Sequence, residues 1–317
     1  MSKERIVFMG TPDFAVATLK ALLAAGANVV GVITAPDRPA GRGMKLQPSA
    51  VKQFAVENNL TILQPTNLKS EDFLNELRNL NATLQIVVAF RMLPEVVWNM
   101  PEKGTFNLHA SLLPQYRGAA PINWAVINGE QESGVTTFFL QHQIDTGNII
   151  FQEKVAVSEN ETAGELHDKL MNVGAGLVVR TLEAIESGNA PSIPQSTVKG
   201  ELKEAPKLFK ETCKIDWSKS VDEVFNLIRG LSPYPAAFTT LVSDNQQVGL
   251  KIFKAKKSEK KAAGEAGLIH VENQQLYLSC ADGWLEIIEL QMAGKKRMST
   301  SDFLRGSDLA TYTIANT

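Results

Sequence analysis

The chain opens on two apolar runs separated by one amphipathic stretch. Residues 5–9 are continuously apolar after their arginine and end at Gly10. That is the pattern of a strand covered on both faces of a parallel sheet. Phe14, Val16, Leu19, Leu22 and Leu23 then recur at helical spacing, and Gly26 closes the helix. Residues 28–34 give a second buried strand. Helical spacing returns at 49–59 and 70–80, around a short strand at 61–63, and 84–89 is a further buried strand. Residues 105–108 read as a short strand between Gly104 and a turn at Pro114. A helix is expected near 121–128, with strands at 135–140 and 148–157. Thr162 and Glu165 have capping-box spacing. They open a helix that buries Leu166, Leu170, Val173, Leu177, Leu182 and Ile185 and stops at Gly188. Strands alternating with helices in this way predict an α/β domain over 1–189: a Rossmann-like, doubly wound, mostly parallel sheet.

The pattern changes afterwards. Residues 189–195 are polar and carry two prolines, so 190–205 read as a linker. A helix is expected at 221–229. Short alternating segments follow at 237–241, 248–253, 267–271, 275–279 and 284–292. Five such strands predict a small antiparallel OB-like β-barrel as the second domain, 206–317.

Composition sharpens this in three ways. A chain of 317 residues with 44% apolar and 21% charged content is ordinary for a soluble protein and long enough for two cores. It has no apolar run of membrane-spanning length and no secretory segment ahead of the first strand, so a cytoplasmic location without membrane contact is expected. Cys213 and Cys280 stand apart, in no metal or redox spacing, and read as reduced thiols.

A net charge of −2 argues against a globally basic nucleic-acid binder, yet the charge is uneven. Residues 1–205 hold 17 Lys+Arg against 21 Asp+Glu, and residues 206–317 hold 15 against 13. Between Lys251 and Lys261 there are six lysines and one glutamate. Two readings stand: lysines guarding a strand edge, or a contact surface for a phosphate backbone.

Candidate chemistry gathers at 104–121. Asn107 and His109, two apart on a strand, project the same way. An amide donor beside an imidazole can meet a developing oxyanion and exchange a proton near neutral pH. Asp145, on a second strand-end turn, completes a proton-handling set. The first turn, Gly10-Thr11-Pro12, is not a dinucleotide fingerprint, because Pro12 stands where backbone must approach a pyrophosphate. That demotes a nicotinamide-dependent dehydrogenase. Residues 35–48 hold three prolines, two glycines and three cations and are expected to be irregular. His167 reads as solvated, and His142, three residues before Asp145, is read as incidental in preference to a neighbour of the site. No cluster of His, Cys and Asp has ligand spacing, so no metal is expected.

Asn107-x-His109, the Ser111-to-Pro121 run and Asp145-Thr146-Gly147 together resemble the folate-dependent formyltransferases, and the likeness runs from the first strand past residue 235. The resemblance implies 10-formyltetrahydrofolate as formyl donor and Asn107, His109 and Asp145 as catalytic residues. It implies a folate pocket from Ser111, Leu112, Leu113 and Pro114 with the backbone of Arg91, Met92 and Leu93. The basic 36–48 segment is similar to one that enters an acceptor stem in members acting on initiator methionyl-tRNA. This makes Arg38, Arg42 and Lys45 expected RNA contacts, with Arg42 matching a critical arginine. A monomer with no DNA partner is expected. Members acting on small amines, such as a sugar nucleotide or glycinamide ribonucleotide, lack that segment. A formyltetrahydrofolate hydrolase and a non-catalytic RNA-binding module are rival readings of the same residues. Many relatives carry a second acid where this chain has Asn148, which leaves a role for such an acid in doubt.

Overall fold

The structure is a computed structural model that describes residues 3–40, 44–197, 201–243, 246–261, 264–309 and 311–315. Its first elements are β1 (Ile6–Gly10), α1 (Asp13–Ala24), β2 (Val29–Ile33), β3 (Arg38–Ala40), β4 (Lys45–Gln47), α2 (Ala50–Glu57) and β5 (Ile62–Leu63). There follow α3 (Glu71–Asn79), β6 (Leu84–Val88), α4 (Glu95–Trp98), β7 (Thr105–His109), β8 (Arg117–Gly118), α5 (Pro121–Ile127), β9 (Glu132–Phe139) and β10 (Ile149–Ala156). Then come α6 (Ala163–Glu186), β11 (Glu204–Ala205), α7 (Val221–Leu231), β12 (Ala237–Ser243) and β13 (Gln246–Lys257). The last are β14 (Ile269–Glu272), β15 (Gln275–Ser279), β16 (Trp284–Met292), β17 (Met298–Ser299), α8 (Thr300–Arg305) and β18 (Thr313–Ile314).

Two compact units form, and neither is continuous in sequence. One gathers Met1–Gly118, Ser133–Val155 and His167–Glu204; the other gathers Ala119–Glu132, Ala156–Leu166 and Ala205–Thr317.

The first unit is built on a sheet of order β10-β9-β7-β6-β1-β2-β5. Its pairs β1–β2, β1–β6, β2–β5 and β6–β7 are parallel, and β7–β9 is antiparallel. Helices cover it, so β1 and β6 are buried at every position. Val7, Met9, Ile33 and Val87 pack with Phe73, Leu74 and Leu77 of α3. Gly174 of α6 lies so close to Leu108 that a Cβ would come within 2.8 Å of Leu108 Cδ2. The expected doubly wound, mostly parallel sheet is therefore present. The Thr162–Glu165 box also forms, each backbone N–H donating to the other residue's side chain at 2.8 and 3.2 Å.

One topological feature places a binding crevice. β1 lies between β2 and β6; the chain leaves β1 towards β2 and β5, then returns to β1's other side. Loops after β1 and β6 must diverge, which opens a crevice at the strands' carboxyl ends. Gly10 pairs with Val88, and Val88 with Leu108, so β1, β6 and β7 end level.

One sequence expectation needs correction. Residues 35–48 are not wholly irregular: β3 and β4 pair antiparallel, with Arg38 opposite Gln47, Pro39 opposite Leu46 and Ala40 opposite Lys45. A two-stranded ribbon needs little hydrophobic pattern, and Pro39 is tolerated because it lies on an edge. The lysine run keeps its edge reading: β13 pairs with β16 over residues 250–257 but with β12 only over 246–252, so Lys254, Lys256 and Lys257 lie where β13 has no partner strand on its β12 side. Lys251, Lys254 and Lys256 are exposed on it, and Lys254 and Lys256 stand opposite Glu289 and Glu286.

In the second unit the sheet β14-β15-β16-β13-β12-β18, with β17 on β16, curls into an antiparallel half-barrel. Leu241, Leu250, Ile252, Leu278, Leu285, Ile287 and Leu290 fill its inside with Val224, Phe225 and Ile228 of α7 and Phe303 of α8. Ser220 and Glu223 cap α7 with a full capping box. Among the described residues no helix is long and apolar enough to cross a membrane.

Candidate active site

β7 carries the chemistry out to the carboxyl edge of the sheet. Its burial reads buried, buried, half-buried, buried, buried, and the half-buried position is Asn107. Asn107 and His109 share a face, as their spacing requires. The Oδ1 of Asn107 is buried and has no hydrogen-bond partner. An unpaired buried acceptor costs about 1–3 kcal/mol, so an incoming donor is favoured there.

His109 is 7% exposed. Its Nε2 lies 2.9 Å from the carbonyl of Tyr116. Since a carbonyl only accepts, Nε2 carries a hydrogen and donates it. On its other side Nδ1 is 3.9 Å from Oδ2 of Asp145. That is an ion-pair distance too long for a direct hydrogen bond, so Nδ1 can meet a third group. The Gly118 N–H donates to the same Oδ2 at 3.1 Å.

The 145–147 turn is tightly built. Asp145 adopts a left-handed φ of 55°, which Asp tolerates better than most residues. A Cβ on Gly147 would collide with the Phe139 carbonyl, so only glycine fits. Asn148 Nδ2 donates to Ser192 Oγ at 2.8 Å.

The expected folate residues fall into two groups. Ser111, Leu113 and Pro114 are buried and Leu112 is half-buried. Ser111 Oγ donates to Gln115 O at 2.6 Å, and the Leu113–Pro114 peptide is cis. Thr136, opposite His109 on β9, ties this turn down: it donates to Ser111 O at 2.6 Å and accepts from Leu113 N at 3.1 Å. Arg91, Met92 and Leu93 instead line an open groove of about 1020 Å³ with Thr66–Lys69 and Pro94–Val96. Arg91 donates to the carbonyls of Pro65 and Thr66. Burial, and after it the charge of Arg38, lowers its pKa from the ordinary value.

Of the expected RNA contacts, Arg38 is exposed on β3, and Lys45 belongs to β4. Arg42 lies outside the described residues. His142 is exposed beside Glu95 at 3.4 Å, and His167 stacks edge-on against Phe14. Among the described residues no group of three His, Cys, Asp or Glu could hold a metal. Sequence reasoning missed Arg117, Thr136 and Gln195, which act through neighbours far away in the chain and leave no local signature.

Comparison with known proteins defines the class. Residues 4–182 match the family described as formyl transferase, and residues 207–308 match the formyl transferase C-terminal domain. The chain belongs to the formyl transferase family. Among curated relatives, the methionyl-tRNA formyltransferase of Parabacteroides distasonis is 56% identical over 324 residues, covering 99% of this chain and 100% of that one. That of Flavobacterium johnsoniae is 55% identical over 306 residues, covering 96% and 97%.

Solved structures share the fold. A sugar 3N-formyltransferase determined with dTDP and 5-N-formyl-THF has a TM-score of 0.65 at 22% identity, covering 93% of this chain and 100% of that one. An N-formyltransferase from Helicobacter canadensis, in complex with folinic acid and dTDP-3-aminofucose, has a TM-score of 0.63 at 20% identity, covering 94% and 100%.

Proposed function

We propose that this protein transfers the formyl group of 10-formyltetrahydrofolate to the α-amino group of initiator methionyl-tRNA, giving N-formylmethionyl-tRNA. The observation that carries the chemistry is the His109–Asp145 pair set beside the unpaired buried Oδ1 of Asn107. Full-length relatives named methionyl-tRNA formyltransferase support the choice of acceptor.

The reaction follows from those groups. A free α-amine has a pKa of about 7.7–8.0, and its neutral form attacks the formyl carbon. As the N–C bond forms, the carbonyl electron pair moves onto oxygen. Asn107 suits this adduct: Oδ1 accepts an amine N–H while Nδ2–H donates to the oxyanion. One such donor is worth roughly 3–4 kcal/mol of barrier. When the adduct collapses, the bond to the folate nitrogen breaks and that nitrogen takes up a proton. The proton on His109 Nδ1 is placed to supply it, and Asp145 stabilises the charged ring and accepts the amine's proton through a bridging water. The crevice beside β1 and β6, with the groove at Arg91–Leu93, offers the donor a place at the same sheet edge. The β3–β4 ribbon bearing Arg38 and Lys45 is the proposed RNA contact.

The test incubates protein with 10-formyltetrahydrofolate and either initiator or elongator methionyl-tRNA, and follows formylmethionine on the RNA. Formylation of the initiator alone, weakened in Arg42→Ala, is expected. Folate turnover without formylation of either RNA would overturn the acceptor assignment. No folate consumption under any condition would overturn the reaction.

A further inference from the structure

We infer that Gln195 is a positioning residue for Asp145, holding the 145–147 turn so that the carboxylate faces His109. The inference rests on the formyl-transfer reading above. Gln195 is 4% exposed, in a short 3-10 turn at Gln195–Thr197. Its Nε2 donates to the carbonyls of Asp145 at 2.9 Å and Gly147 at 2.8 Å. Its Oε1 accepts from Arg117 Nε at 3.1 Å and Nη2 at 2.6 Å. A carboxamide has two N–H groups and two lone pairs, so its whole capacity is spent on this junction.

The junction involves both halves of the catalytic pair. Arg117 is flanked by Tyr116, whose carbonyl accepts from His109, and by Gly118, whose N–H donates to Asp145. Gln195 thus ties the loop that orients the imidazole to the turn that presents the carboxylate. A left-handed φ carries a cost for a non-glycine residue even where, as for Asp, it is tolerated, so such a hold steadies Asp145. The segment bearing Gln195 is itself fixed. Ile149 and Ile193 exchange backbone hydrogen bonds at 2.8 and 2.9 Å, and Asn148 grips Ser192.

Gln195→Glu keeps an acceptor for Arg117 but sets an oxygen against two carbonyl oxygens; Gln195→Met loses both contacts. Misplacement of a reacting group by about 1 Å can cost on the order of a hundredfold. Both variants are expected to lower kcat for formyl transfer by about tenfold to a hundredfold, with KM for the folate donor within about twofold of wild type and the protein, though less stable, still melting cooperatively. The decisive measurement repeats Gln195→Met in an Asp145→Asn background under single-turnover conditions. If Gln195 acts through Asp145, the second substitution costs less than about twofold there.

Wild-type kcat in either variant, or a loss that persists in full alongside Asp145→Asn, overturns the inference. Should Gln195→Met not fold, Arg117→Met loosens the same carboxamide from its other side and is held to the same criterion. Failure of the wild-type protein to transfer any formyl group would overturn the underlying reading instead, so the two failures are distinguishable.

Discussion

The two sheets give polar residues opposite meanings. In the first unit β1 and β6 are buried at every position, and β7 departs from that only at Asn107. In the second unit β12 and β16 alternate between buried and half-buried residues. A strand covered on both faces has no solvent to offer a polar side chain, so each one there is costly unless satisfied or used. On an alternating strand a polar residue at every second place is simply the outer face. Lys254 and Lys256, opposite Glu289 and Glu286, belong to that pattern and by themselves announce nothing.

Substitutions can break this contrast, and the largest effect should come at the sheet edge of the first unit. His109→Ala is expected to reduce formyl transfer by about 10²–10⁴-fold, read as kcat, while the protein still melts cooperatively. Asn107→Leu should cost about 10²–10³-fold in kcat yet leave stability unchanged or raise it, because it removes an unpaired buried acceptor. Thermal melting and activity moving in different directions would be the signature.

Inside the half-barrel the expected currency is stability. Leu290→Ala removes a fully buried side chain and should cost about 2–5 kcal/mol by denaturant titration. Lys254→Ser on the same sheet should stay within about 0.5 kcal/mol. Equal losses at the two sites would erase the contrast between inner and outer faces.

A last expectation concerns pH. Burial, with the charge of Asp282 after it, pushes the Cys280 thiol up to about 12. The unfolded chain releases that proton near pH 8.5, so the native thiol's contribution is complete below there and is lost as pH rises towards 12. Native protein at pH 8 should therefore leave Cys280 unalkylated by iodoacetamide, and denaturant should expose it.

Legibility followed the same division. The apolar runs of β1, β2 and β6 foretold the parallel sheet because burial on both faces leaves a continuous signal. Asn107 and His109 stood out against that background, and Asp145 was found through the Asp-Thr-Gly turn. The β3–β4 ribbon was not legible, since Arg38-Pro39-Ala40 carries a cation and a proline but no alternation. Gln195 was illegible for another reason: its partners lie 50 and 78 residues away, and nothing in Ile-Pro-Gln-Ser announces them. β17, α8 and β18 are too short for their periodicity to register.

The interleaving of the two units bears on how such a chain can be recombined. Helix α5 belongs to the second unit, where it packs on α7, and Asn123 donates to the carbonyl of Gly230 at 2.7 Å. Gly230 is matched to that packing: a Cβ there would meet Ile127. Yet α5 is encoded between β7 and β9, inside the sequence of the first unit. A chimera that exchanges only residues 207–308 would inherit α7 without the helix it was shaped against. The unit of exchange in this protein is therefore not a contiguous stretch of sequence, and a working graft must carry residues 119–132 and 156–166 along with the half-barrel.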